Sequence, residues 1–315
     1  MNKISKRSDK MIVSDEESRY MEKEGIRALC YEDAEYPPLL KQIYDPPQRV
    51  FYKGKIKEID INAVAIVGAR RCSLYGYRTA EKIAYELALR GITVISGMAR
   101  GIDSAAHIGA LKAKGRTIAV MGSGFRHIYP PESEGLSRQI CEQGAVITEF
   151  LSGIVPSKWT FPKRNRIVSG LAKAVVVVEA ASKSGALITV DFALQQGKDV
   201  FAVPGQIDMV TSSGTNSLIK DGAKMVTSVD DILEELNIED SVSIKTEPLG
   251  EKNSKEPVSD KETEILNVIR KKSDVRIDNL PDLTGMNMKT LSELLLRLEI
   301  KGKIKALPGK IYKIC

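Results

Sequence analysis

Four short segments place glycine or another small residue where a phosphate could be held, and three of them add a cation. They are Gly68-Ala69-Arg70-Arg71, Ser96-Gly97-Met98-Ala99-Arg100-Gly101, Gly122-Ser123-Gly124 and Ala181-Ser182-Lys183-Ser184-Gly185. Small residues let backbone N–H groups approach an anion, and a following helix N-terminus adds positive potential. Arg70, Arg100 and Lys183 supply full charges. A fifth segment, "TFPKRNR", gathers Lys163, Arg164 and Arg166 around Asn165, with Phe161 and Trp159 able to stack on a base. Read as the start of the helix "NRIVSGLA", these cations oppose the helix dipole, which favours anions at that end. An external anion shared between the helix and the cations resolves the conflict. The alternative is structural: the glycines make tight turns, and the cations pair with carboxylates such as Glu149 or Glu179.

The elements that must position these segments are legible from residue 62 onward. "AVAIVG", "ITVISG", "TIAVMGSG", "AVITEF", "AVVVVEA" and "DVFAVPG" are short apolar runs separated by helical stretches. The runs do not alternate with polar residues, so both faces of each strand must be covered. That pattern predicts a doubly wound α/β domain with a mostly parallel sheet. In such a sheet the loops after the strands collect along one edge, where ligands bind. All the candidate segments except the basic cluster fall directly after strands.

What is missing narrows the chemistry. No GxGxxG opens the first helix, no GxxxxGK[ST] exists, and no GxSxG is present. Of two histidines, His107 falls mid-helix in "DSAAHIGAL" and reads as packed, while His127 lies in a loop. The four cysteines, Cys30, Cys72, Cys141 and Cys315, are far apart and read as reduced thiols of a cytoplasmic protein. No catalytic group, metal or cofactor is expected, and no membrane segment is predicted. A net charge of +6 permits an anionic partner without demanding one.

Four regions follow along the 315 residues. Residues 1–60 read as a loose polar stub and a proline-rich strap ending in a short strand. Residues 61–236 form the α/β domain, and the polar stretch 237–259 reads as a linker. Residues 260–315 read as three helices and a hairpin, a winged-helix plan. The second long helix there sets Lys289 and Arg297 against Glu293 and Glu299, whereas Lys301, Lys303, Lys305, Lys310 and Lys313 make the wing basic.

The motifs "AIVGARRCSLYG", "SGMARGIDSAAHIGAL", "MGSGFRHIYPPE", "FPKRNRIVSGLA", "VVVVEAASKSGALIT", "DVFAVPG" and "GTNSLIKDGA" resemble those of the bacterial DNA-processing protein A family, DprA, also called Smf. The resemblance implies a Rossmann-like fold, binding and protection of single-stranded DNA, delivery to the RecA recombinase in natural transformation, and a homodimer. It implies DNA or phosphate contacts by Gly68, Arg70, Gly97, Arg100, Gly122, Gly124, Phe161, Lys163, Arg164, Asn165, Arg166, Lys183, Ser184 and Gly185. It makes Ile219 and Met225 candidates for the dimer interface. Many relatives open with a helix-hairpin-helix or SAM-like module, where this sequence has only the polar stub. Two other functions stay open at this stage. One is a nucleotide-binding enzyme of the phosphoribohydrolase type, whose PGGxGTxxE pattern is replaced here by Ser184-Gly185-Ala186-Leu187-Ile188-Thr189. The other is a transcription regulator.

Overall fold

The computed structural model describes residues 14–236, 260–272, 275–300, 303–307 and 311–314. The chain divides into two compact units between residues 244 and 245. The linker predicted over 237–259 lies outside the described residues.

In the first unit α1 (Asp15–Glu24), β1 (Arg27–Cys30), α2 (Pro38–Lys41) and β2 (Arg49–Gly54) precede the repeating pattern. That pattern runs β3 (Ala63–Val67), α3 (Leu74–Leu89), β4 (Thr93–Ser96), α4 (Ile102–Lys112), β5 (Thr117–Val120), α5 (Glu134–Gln143) and β6 (Ala145–Thr148). It continues with α6 (Thr160–Gly170), β7 (Ala174–Val177), α7 (Ala186–Gln195), β8 (Asp199–Ala202), α8 (Ser213–Lys220), β9 (Lys224–Met225) and α9 (Asp230–Glu235). The nine strands form one sheet in the order β1-β2-β6-β5-β4-β3-β7-β8-β9. From β6 to β9 all neighbours are parallel. The doubly wound, mostly parallel fold is as the sequence predicts.

The valine run shows why its strand carries no polar residues. Val175 and Val177 pack into the core under α6 and α7, while Val176 and Val178 pack into the core under α3 and α4. Each strand residue thus meets one of two apolar layers, and burying each valine stabilises the fold by roughly 1.5–3 kcal/mol. The strand order reverses between β3, which leads outward through β4 and β5, and β7, which leads the other way. The loops leaving these adjacent strands splay to opposite faces and leave a crevice between them.

The N-terminal region departs from expectation. Of the predicted stub, residues 1–13 lie outside the described residues, and Asp15–Glu24 form a helix rather than a loose segment. Ser14 caps α1 by accepting the Glu17 N–H, and Gly25 ends the helix in the left-handed conformation. Glu17 accepts hydrogen bonds from Ser152 N–H and Oγ–H at 2.8 and 2.5 Å, and the Arg126 guanidinium lies 4.2 Å from the Tyr20 ring centre. Two strands, not one, follow: β1 pairs antiparallel with β2, and β2 antiparallel with β6. The strap therefore extends the sheet. Its far end is fastened by buried Asp60, which accepts from Arg116 Nε and Nη2, both at 2.7 Å, and from Thr93 Oγ1 at 2.8 Å.

The second unit contains α10 (Asp260–Lys272), β10 (Val275–Arg276), α11 (Leu280–Thr284), α12 (Met288–Ile300), β11 (Ile304–Leu307) and β12 (Ile311–Ile314). Its sheet order is β10-β12-β11, and Ile265, Ile269, Leu280, Leu291, Leu295 and Leu298 fill its core. This is a winged helix. Lys289, Glu293, Arg297 and Glu299 are exposed along α12, while Lys301 and Lys310 lie outside the described residues.

Buried His107 gives the α/β unit a measurable acid sensitivity. Thr117 Oγ1 donates to Val94 O at 2.8 Å, so it accepts from His107 Nδ1–H at 2.7 Å. His107 Nε2 is left buried without a partner, and burial pulls the imidazole down to about 3. The unfolded chain takes up that proton near pH 6.5 while the folded one does not, so stability is full above 6.5 and falls as pH drops toward 3. Urea titrations should show a loss of about 2 kcal/mol between pH 7.5 and 5 that is absent in His107→Leu.

Candidate nucleic-acid interface

The crevice between β3 and β7 opens into a cleft of about 590 Å³. Gly68, Ala69, Arg70 and Arg71 form one wall, and Lys183, Ser184, Gly185 and Thr189 form the facing wall. The floor is made by Gly97, Asp103 and Arg164, and the entrance by Lys158, Phe161 and Asn165.

The first wall is held from below. Glu179, which follows β7 and is 3 % exposed, accepts hydrogen bonds from Ser73 N–H at 3.1 Å and from Ser73 Oγ–H at 2.8 Å. Its backbone oxygen accepts from Ala69 N–H at 2.6 Å. Glu179 is therefore engaged in the loop and does not neutralise the basic cluster. Gly101, with φ of 76°, lets α4 start directly under this loop, and a Cβ there would come 2.3 Å from Ala69 O.

The floor is organised by Arg164, which is 4 % exposed. Parallel strands leave carbonyls at their C-terminal ends without ladder partners, and a buried one left unpaired costs about 1–3 kcal/mol. Arg164 Nη1 donates to both Gly97 O, just past β4, and Val120 O, at the end of β5, each at 2.5 Å. Gly97 is required by this contact, because a Cβ would lie 2.2 Å from Nη1. Burial lowers the guanidinium pKa to about 10, opposed by Asp103 and assisted by Arg70. Burial raises the Asp103 carboxyl above its usual range, while Arg164 draws it back.

The segment "TFPKRNR" lies wholly within α6, which starts five residues before the predicted helix. Pro162 fits the first turn, where its missing N–H costs nothing. Phe161, Arg164, Asn165 and Val168 then fall at i, i+3, i+4 and i+7 and face the cleft. Lys163 and Arg166 fall elsewhere and pair with buried Glu149, at 3.6 and 2.6 Å, and Arg166 Nε lies 3.3 Å from Asp45. Burial raises the Glu149 carboxyl, and Arg166 and Lys163 oppose the rise. The clustered reading of three cations is corrected here: one is in the floor and two turn away.

Of the remaining residues singled out by sequence, Arg70, Lys183, Ser184 and Gly185 line the cleft. Arg100 does not, and its guanidinium engages Glu132. Gly122 packs against the Phe161 ring, and Gly124 sits against Leu151 O and Ser152 O, so both are packing glycines. Lys158 and Thr189, which also line the cleft, were missed by sequence reading, and Arg71 was quoted in its segment without a role of its own. Lys158 stands two residues before α6, where a correct helix start would have placed it at the entrance.

The charge balance is one-sided. Arg70, Arg71, Lys158, Arg164 and Lys183 line the cleft against a single carboxylate, Asp103. Neither α6 nor α7, whose first turns border the cleft, has an acid there, whereas α1 and α9 do. Arg70 lies 4.8 Å from the Phe161 ring centre, and Tyr129 is 5.6 Å from the same ring. Trp159, 86 % exposed, stands beside Lys158. Such a site can hold a phosphate against helix N-termini and guanidinium groups and offer aromatic faces to an attached base. Among the described residues no group of three His, Cys, Asp or Glu side chains could hold a metal ion. Among the same residues no helix is long and apolar enough to cross a membrane.

An open, doubly wound sheet with a cation-lined cleft at its switch point, followed by a winged helix, defines a Rossmann-like α/β protein. Comparison with known proteins makes this specific. Residues 27–237 match the family model for DNA recombination-mediator protein A, and residues 250–310 match that for the DprA winged helix domain. The chain belongs to the DNA-processing protein A family, DprA or Smf. Protein Smf of Escherichia coli strain K12 is 39% identical over 285 residues, covering 89% of this chain and 75% of the relative. DNA processing protein DprA of Bacillus subtilis strain 168 is 42% identical, covering 68% of this chain and 72% of the relative. The solved structure of DprA from Streptococcus pneumoniae aligns with a TM-score of 0.65 at 41% identity, over 69% of this chain and 77% of that one. A structure of DNA processing protein A from Helicobacter pylori, concerned with its single-stranded DNA binding mode, aligns with a TM-score of 0.61 at 29% identity. It covers 67% of this chain and 95% of that one.

Proposed function

We propose that this protein binds single-stranded DNA in the β3–β7 cleft, protects it, and passes it to the RecA recombinase during DNA uptake in the cytoplasm. The observation that carries the reading is the set of rim cations. Arg70, Arg71, Lys158 and Lys183 line the cleft, and among the described residues none has a carboxylate within ion-pair distance. Unpaired cations that converge on one opening are placed for an external polyanion. Cations elsewhere on α6 are already neutralised by Glu149. Family membership supports DNA as that polyanion, and the single-stranded form is favoured by the aromatic rings at the entrance, which unstacked bases can use.

A homodimer built on the α/β unit is part of the proposal. β9 is the terminal strand of the sheet, Met225 on it is 49 % exposed, and Ile219 on α8 is half-buried. An open strand edge flanked by apolar side chains suits pairing with a second copy.

The phosphoribohydrolase-like reading has less behind it. The one carboxylate lining the cleft, Asp103, is buried and accepts the Ala99 N–H at 3.3 Å. Titration of labelled oligo-dT and of matched duplex into the full-length protein tests the proposal. Binding should favour the single strand, and log K should fall with log salt by about 0.7 for each phosphate neutralised. Equal affinity for both forms, or release of free base from nucleoside monophosphates, would contradict it.

A further inference from the structure

The cleft does not end at Arg71. Two shallow depressions, of about 480 and 350 Å³, continue from it along the outer face of α3. The first shares Thr211 with the cleft and is lined by Tyr75, Pro204 and Met209. The second shares Tyr75 with the first and is lined by Leu74, Arg78 and Lys82. Tyr75, Arg78 and Lys82 recur every three or four residues of α3, so they share one face. From Leu74 to Lys82 that face runs roughly 12 Å.

Its composition is unusual for a solvated helix surface. Leu74 is 65 % exposed, Tyr75 58 % and Met209 42 %. The Tyr75 ring is held in place by its hydroxyl, which donates to Pro204 O at 3.3 Å. Arg78 has no carboxylate partner among the described residues, and Lys82 reaches only Glu86, at 3.8 Å, with its side chain 68 % exposed. Apolar and aromatic surface flanked by Arg78, which holds no carboxylate, and by Lys82, which is only weakly paired, and continuous with the cation-lined cleft, complements a polymer with alternating flat bases and phosphates.

We infer that the strand leaving the cleft runs along α3, its bases against Tyr75 and Met209 and its phosphates against Arg78 and Lys82. This rests on the cleft being the DNA site. It makes the α3 face a second stretch of the same interface, engaged only by strands longer than the cleft can hold.

The test uses the full-length protein, a short oligo-dT of about six nucleotides and a long one of about twenty. The variants are Tyr75→Ala and the pair Arg78→Ala with Lys82→Ala, all at exposed positions. Both should weaken binding of the long oligonucleotide about tenfold and leave the short one unchanged. The paired variant should also lower the salt slope for the long strand by roughly 1.4, two phosphates at about 0.7 each. Wild-type affinity of both variants for both lengths would overturn the inference and leave the cleft standing. Failure of the unaltered protein to bind either length would remove the functional reading itself. A changed mass in light scattering, with long-strand affinity intact, would assign the α3 face to a protein contact and overturn the inference.

Discussion

Replacing Arg70 and Lys183 together by alanine should weaken single-stranded DNA binding at least about a hundredfold, since each charge-assisted contact is worth roughly 1.5–3 kcal/mol. The two cations stand on opposite walls of the cleft. Arg70 also stacks on Phe161, so its removal takes away a phosphate contact and loosens an aromatic face. Both side chains are exposed and neither holds a carboxylate, so the fold should not notice their loss. Thermal unfolding should therefore be unchanged while gel-shift or anisotropy titrations collapse. The paired variant Lys163→Ala with Arg100→Ala removes as much charge from groups that do not line the cleft. It should weaken binding only a few-fold, so an equal loss in both pairs would show that net charge, not the cleft, holds the DNA.

Arg164→Ala should instead strike stability, by about 3–5 kcal/mol, the usual cost of removing one member of a buried charge system. Three effects combine. Gly97 O and Val120 O lose their shared donor, a cavity opens over Gly97, and Asp103 loses the charge that draws its pKa down. The last effect fixes the sign of a pH dependence. A carboxyl whose folded pKa is raised is protonated in the folded chain where the unfolded chain has already released its proton, so stability falls as pH rises. The deficit of the variant should accordingly be larger at pH 7 than at pH 4.5. Urea midpoints at the two values measure it, and a deficit that shrinks on going to pH 7 would mean that Asp103 is not governed by Arg164. Arg164→Lys should fall between, because one ammonium replaces the charge without bridging both carbonyls in the same plane.

These two expectations separate residues that sequence reading had grouped. The alternation of Val175, Val176, Val177 and Val178 between two cores needed only a run of β-branched apolar residues to be foreseen. The gathering of Gly68–Arg70 and Lys183–Gly185 on one edge followed from the parallel direction of the strands. Their facing each other did not, because it depends on β3 and β7 being neighbours, and strand order comes from long-range pairing. The division of labour within "TFPKRNR" was within reach. A helix begun at Thr160 places Phe161, Arg164 and Asn165 on one face and sends Lys163 and Arg166 away, whereas the predicted helix began only at Asn165. The burial of Arg164 and the role of Glu179 beneath Ser73 were out of reach, since both are contacts between residues far apart in sequence. The N-terminal region was misread for a similar reason. α1 is polar apart from Tyr20 and Met21, which pack on the core, and Glu17 secures it by meeting Ser152, far away in sequence.

Hydrogen exchange of the full-length protein with and without oligo-dT tests most directly whether the β3–β7 cleft is where the strand lies. Amides of residues 69–71 and 183–186 should exchange more slowly when the oligonucleotide is bound, with the bulk of the winged helix unchanged. Protection confined to the winged helix, with both cleft walls exchanging at their free rates, would contradict it.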